Sequence, residues 1–201
     1  MCEFASIVLI KEQAFWALVD SHEEIIRKHG LHADGVGGPN VLRVEICPPS
    51  LDGVGLRAPL AEWTYRVDQD IMPEWADAER DEERARLALA ELVAERVIVD
   101  RTHIKKITEG VYYLIHNATV DAMGNATVDA RDKATVDAMG NATVTAWDNA
   151  TVTARGNATV GAVNDHATVR AYNPQPDVEI LGPYAVLIDC TGERAVCRVG
   201  E

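Results

Sequence analysis

Residues 117–156 read NATVDAMG NATVDARD KATVDAMG NATVTAWD NATVTARG, five near-copies of one eight-residue phrase. The unit x-Ala-Thr-Val-x-Ala begins at Asn117, Asn125, Lys133, Asn141, Asn149, Asn157 and His166, and Asn164-Asp165 lengthens the last step by one. Self-similarity at a fixed period is the signature of a repeat architecture. A period of eight excludes the heptad, and the abundance of Val, Thr, Gly and Asn disfavours helix. Strand alternation points Ala118, Val120 and Ala122 to one side, and Thr119, Asp121 and Met123 to the other. The first set barely changes down the array, as a core does. The second drifts through Asp, Thr, Gly and Arg, as a solvent face does. The joints are Gly-Asn, Asp-Lys and Asp-Asn, residues that tolerate left-handed backbone. Each unit is therefore a short strand plus a sharp corner.

Eight residues do not close a coil around a core, but two units do. The expected form is a flattened, two-sided β-solenoid of about 16 residues per rung, with a three-unit triangular rung as the alternative. Seven units then make about three and a half rungs, an array roughly 17 Å tall at ~4.8 Å per strand, plus caps. Identical stacked positions allow Asn and Thr ladders. Open solenoid ends need caps. The residues before 111 are expected to cover one end. PYAVLIDCTGERAVCRVGE is expected to close the other, as strands around Thr191-Gly192-Glu193.

Residues 1–110 read as an α+β domain, and 111–201 as the solenoid with its C-terminal cap. FASIVLIKEQAFW opens the chain as a buried strand. In DSHEEIIRKHGL, Ser21 caps a short helix with Glu24 in capping-box position, and Gly30 stops it. VLRVEICPP and EWTYRVDQD read as strands, the first ended by Pro48 and Pro49. A long helix is expected from about Pro73 to Val97, with Trp75, Ala78, Ala85, Leu89, Leu92 and Val93 as its apolar stripe and a solvated charged face opposite. HIKKITEGVYYLIHN reads as two strands around Thr-Glu-Gly that lead into the repeats.

The formal net charge is −13, without a basic patch, which disfavours direct nucleic-acid binding and fits either simple solubility or a partner with a basic surface. No stretch approaches a membrane span, and no secretory signal is evident. Cys2, Cys47, Cys190 and Cys197 lack C-x-x-C spacing, so no zinc site is implied, and a cytoplasmic setting with free thiols is expected. A Cys190–Cys197 bridge fits only an oxidising environment. The chain implies no metal, no cofactor and no catalytic residue. His22 and His29 lie about 10 Å apart along a helix, too far for one ion, and Ile26 stands where His-Glu-x-x-His needs its second histidine. Neither Gly35-Val-Gly37-Gly38 nor Gly53-Val-Gly55 is a phosphate loop.

Asn-Ala-Thr matches the glycosylation acceptor five times, but turns and ladders explain it without secretion. Outward Thr-x-Thr pairs are too few for an ice-binding plane, since Asp121, Asp129 and Asp137 interrupt it. The candidate binding residues are Asp121, Asp137, Met123 and Met139 on one face, with Asp129 and Trp147 on the other.

FASIVLIKEQAFW, DSHEEIIRKHGLHADGVGGPNVLRVEI and YRVDQDIMPEW, joined to Ala-Thr-Val octapeptides, resemble a family of uncharacterised bacteriophage and prophage proteins. The resemblance implies a small accessory protein made in the cytoplasm of an infected bacterium. It carries over no catalytic residue. Such proteins often act on host antiviral defence systems. The expectation is thus a non-enzymatic protein that binds a basic, nucleic-acid-handling host protein. The alternatives are a structural, self-associating solenoid and an enzyme of unknown reaction using His22 or Glu24.

Overall fold

The computed structural model describes residues 4–35, 38–100, 105–162, 166–172, 177–180, 182–192 and 195–200. Asn164-Asp165 of the long step, Glu193 of the closing turn, Gly37 and Cys2 lie outside these residues. The chain forms two compact units, Met1–Glu95 and Arg96–Glu201.

The first unit is α+β. Its strands are β1 (Ser6–Leu9), β2 (Ala14–Phe15), β3 (Asp34–Gly35), β4 (Gly38–Pro39), β5 (Leu42–Cys47) and β6 (Thr64–Val67). The main sheet is antiparallel in the order β2-β1-β5-β6, and β3 and β4 form a separate minimal hairpin. β1 is buried along its whole length, as its apolar run requires. Between β2 and β3 lies α1 (His22–His29), where Ser21 Oγ accepts the Glu24 amide and Gly30 closes the helix at φ 61°. The Glu24 carboxylate does not return to the cap. It takes two hydrogen bonds from Arg27, which hold it below the usual carboxylate range. Ile25 packs with Val8, Ala17 and Val41, and Phe4 meets Trp63 edge-on.

The long helix, α2, spans Ala78–Arg96 and so begins later than Pro73. Asp77 is the reason. Its Oδ1 accepts the Arg80 amide, while Asp81 Oδ2 accepts the Asp77 amide, a reciprocal cap that fixes the first turn there. Ala85, Leu89 and Leu92 are buried as expected, whereas Ala78 is exposed and Trp75 precedes the helix. Asp81 is fully buried and also accepts from Arg80 and Arg84; Arg84 then donates to the carbonyls of Ile10 and Lys11.

The second unit is a parallel β-solenoid of about five turns with two repeats per rung. One wall stacks β7 (Val97–Val99), β9 (Val111–Ile115), β11 (Thr127–Ala130), β13 (Thr143–Ala146), β15 (Thr159–Ala162) and β17 (Asp177–Ile180). The other stacks β8 (Lys105–Ile107), β10 (Thr119–Ala122), β12 (Thr135–Ala138), β14 (Thr151–Ala154), β16 (Thr168–Ala171) and β18 (Val186–Asp189), with β19 (Val196–Val199) antiparallel at its edge. Thr119 lies beside Thr135 and Thr127 beside Thr143, so like repeats meet every second unit. The stack is taller than three and a half rungs, about 24 Å at ~4.8 Å per strand. Strands without the Ala-Thr-Val phrase join it because they keep the inward alternation. Leu114 sits beside Ala130, Tyr112 beside Val128 and Leu187 beside Val169. For the same reason the solenoid begins at Val97, and the Thr-Glu-Gly turn carries the chain from one wall to the other. The core is built of small residues: Ala118, Val120, Ala122, Ala134, Val136 and Ala138 are fully buried.

The two edges of the solenoid turn by different means. On one, Gly124, Gly140 and Gly156 take φ of 58°, 65° and 69°. On the other, Asp100, His116, Asp132 and Asp148 take φ of 43° to 60°. The Gly edge is set by close approach, because a Cβ on Gly124 would lie 2.5 Å from the Thr108 carbonyl oxygen. The Asp edge is set by capping. Asp148 Oδ2 accepts the Asp132 amide and Asp132 Oδ2 the His116 amide, each at 3.0 Å. Asp100 accepts from the Asn117 amide and lies 2.9 Å from His116 Nδ1. Asn125, Asn141 and Asn157 form the expected amide ladder beside the glycines.

At the C-terminal end the inward Ala154–Ala171 column finishes in Asp189. Its carboxylate accepts from Thr191 and pairs with Arg198 at 3.6 Å. Cys190 and Cys197 are free thiols. Pairing places Cys197 opposite Ile188, which leaves the two cysteines diagonal rather than facing. Cys47 is disulfide-bonded, a correction to the expectation of free thiols throughout.

Candidate functional site

The six candidate residues of the solenoid fall on the two walls as alternation requires. Asp121 and Asp137 are in register on adjacent strands of one wall, with Met123 and Met139 at the following corner position. Asp129 and Trp147 belong to the other wall. All six are half-buried.

Their charges are largely answered from within. Arg155 Nη1 donates to both carboxylate oxygens of Asp137, at 2.8 and 3.0 Å. Asp129 pairs with Arg131, at 2.8 Å from Nε and 2.9 Å from Nη2. The Arg131 guanidinium lies over the Trp147 ring at 4.9 Å, and that of Arg155 over the Tyr172 ring at 5.3 Å. Burial pushes the Asp129 carboxyl above its ordinary value, against the opposing pull of Arg131 and Trp147. The outward column containing Asp121 runs Lys106, Asp121, Asp137, Thr153, Arg170. It is a mixed-charge column, not an acidic stripe. Arg155 occupies a variable repeat position, and its pairing with Asp137 one rung away needs the two-per-rung register.

In the first unit, His22 is buried and both ring nitrogens are engaged. Nε2 donates to the Val44 carbonyl at 3.0 Å, and Nδ1 lies 3.5 Å from Asp68 Oδ2. A general base needs a free ring nitrogen facing substrate, and His22 offers none in this arrangement. Glu24 is committed to Arg27. A shallow polar groove of about 440 Å³ lies beside Asp68, lined by residues 66–70. Among the described residues no group of three or more His, Cys, Asp or Glu is placed to hold a metal ion. No described helix is long and apolar enough to cross a membrane.

A further surface was not singled out by sequence. Glu79, Glu82, Glu83, Arg86 and Leu87 line an open groove of about 480 Å³ along α2. These positions are spaced i, i+3, i+4, i+7 and i+8, one continuous stripe of helix. Arg86 is spent internally, on Glu82 and on the carbonyls of Leu60 and Trp63. Glu79 and Glu83 are exposed, and no ion pair joins them among the described residues. Leu87 is 65% exposed. The available signal was Leu87 itself, a large apolar residue opposite the Ala85–Leu89–Leu92 stripe. The fold defines a protein with an α+β unit and a two-walled β-solenoid unit. Comparison with protein-family models, curated proteins and solved structures gives no match to the chain.

Proposed function

We propose that the chain is a non-enzymatic, phage-encoded accessory protein that binds a host protein with a basic surface, in the cytoplasm of an infected bacterium. The proposed target is a nucleic-acid-handling antiviral defence protein, whose substrate the acidic surface would displace. The observation that carries the reading is the contrast between charge and chemistry. The net charge is −13, while His22 and Glu24, the residues an enzyme reading needs, are committed to structural contacts. Exposed, unanswered carboxylates such as Glu79 and Glu83 supply the attraction.

The test is inhibition. A panel of purified bacterial defence nucleases is assayed for DNA cleavage with and without the protein, at low and high salt. Loss of cleavage that DNA or salt relieves supports the reading. Unimpaired cleavage with no co-elution at low salt across the panel overturns it. End-to-end stacking of solenoids is opposed by Asp189 and Arg198 at the end of one wall, and by Asp177 and Glu179 on the edge strand β17 of the other.

A further inference from the structure

We infer that the solvent face of α2 is a docking seam for a basic amphipathic helix of a partner protein. The inference rests on the binding reading above and names the surface that carries it.

The composition of α2 is the starting point. A helix that covers a core on one side normally presents polar residues on the other. α2 buries Ala85, Leu89 and Leu92 on its inner side. Its outer side nevertheless carries Leu87, Ala90 and Ala94, all exposed. Spacings of three and four place these on one line, the arrangement by which a second helix is gripped. The line continues toward the N-terminus into the groove flanked by Glu79 and Glu83. Leu87 is the large apolar anchor, and two alanines allow a neighbouring backbone to come close.

Charge selects the occupant. Glu79 and Glu83 lie at one end of the seam, and Glu91 beside its alanines is also exposed. A second copy of α2 would bring carboxylates against carboxylates and is disfavoured. An acidic partner helix fails for the same reason. A helix with an apolar stripe flanked by Lys or Arg satisfies both the anchor and the carboxylates, in the helix-in-groove mode. The solenoid walls lack this combination, because Arg131 and Arg155 already answer their aspartates.

The probe is a synthetic helical peptide of about 18 residues, some five turns, with a leucine stripe flanked by lysines. Its binding to the full-length protein is followed by fluorescence anisotropy, beside a scrambled peptide of identical composition. Binding of the ordered peptide is expected to weaken about tenfold or more for Leu87→Glu, and likewise for the double change Glu79→Lys, Glu83→Lys. Asp177→Lys with Glu179→Lys alters net charge equally on the solenoid edge and is expected to leave binding within about twofold. Circular dichroism checks that each variant is folded, which exposure of these side chains favours. Equal binding of the scrambled peptide, equal loss in the solenoid control, or unchanged binding of Leu87→Glu overturns the seam. The two proposals fail separately. A peptide that docks at Leu87 without any nuclease inhibition sinks the target reading alone. Inhibition that survives Leu87→Glu and the double change sinks the seam alone.

Discussion

At the scale of single residues, the solenoid turns its corners with two different solutions to one backbone problem. The described corners from Asp100 to Gly156 each hold a left-handed residue. Where the preceding rung presses close, as at Gly124, glycine is required; on the opposite edge aspartate takes the same backbone and caps the rung below. Gly124→Ala places a methyl group 2.5 Å from the Thr108 carbonyl at positive φ, and is expected to cost about 2–4 kcal/mol. Gly140→Ala meets the Gly124 amide nitrogen at 3.2 Å and is expected to cost about half as much. Urea unfolding gives both values, and the reverse ranking would refute the close-approach account. On the opposite edge, Asp148→Ala removes the acceptor of the Asp132 amide and is expected to cost about 1–2 kcal/mol. Asp148→Asn keeps both an acceptor and left-handed tolerance, so its cost is expected to be smaller. Asp189 adds a pH dependence of definite sign. Hydrogen bonds from Thr191, aided by Arg198, hold its carboxyl below the ordinary 3.8. The folded state therefore binds that proton more weakly than the unfolded state does. The resulting stability is present above 3.8 and is lost as pH falls through the lower folded value. Asp189→Asn is expected to flatten that part of the acid limb in thermal melts recorded against pH.

At the scale of elements, α2 shows where local signals compete. Pro73 is a good first helical residue, yet the helix waits for Asp77, because a carboxylate that accepts the Arg80 amide ends the competition between two possible starts. Asp77→Ala is expected to cost about 1 kcal/mol, read from the denaturation midpoint. Asp81 is a different case within the same turn. It is fully buried, with Arg80, Arg84 and the Asp77 amide gathered on its carboxylate. Asp81→Ala strands those donors and is expected to cost about 3–5 kcal/mol, the scale of a broken buried ion pair. Nothing local in the sequence reveals that Asp81 is buried. Its burial follows from Arg84 reaching the carbonyls of Ile10 and Lys11, a contact between segments far apart in the chain. The outer seam of α2 was hidden for a related reason. Leu87 lies opposite the apolar stripe, but the sequence does not show that Ala90 and Ala94 beside it stay uncovered.

At the scale of the whole molecule, the repeat was legible because one rule, alternation plus a left-handed corner, recurs often enough to declare its period. Ala118, Val120 and Ala122 declare the core, and Gly-Asn and Asp-Asn declare the corners. The height was less legible, since β7, β9 and β18 keep the inward alternation in unrelated words such as VYYLI. The pairing of Asp137 with Arg155 needs the rung period before it can be seen at all. That period makes a prediction about deletions. Removing residues 125–140 takes out one full rung and rejoins Gly124 to Asn141, restoring a Gly-Asn corner. Asp148 then lies over His116, where Asp132 now supplies the same cap, and Asp121 takes the place of Asp137 beneath Arg155. Removing only residues 133–140 takes out half a rung. Every later strand changes wall, and Gly156 falls on the edge where the Asp132 amide needs a carboxylate. The sixteen-residue deletion is therefore expected to remain folded with a cooperative unfolding transition. The eight-residue deletion is expected to be less stable although it removes less protein, because it exchanges the two edges along the rest of the stack. Circular dichroism and urea unfolding of the two variants measure the order, and a more stable eight-residue deletion would show that the edges are interchangeable and that the Asp caps do not set the register.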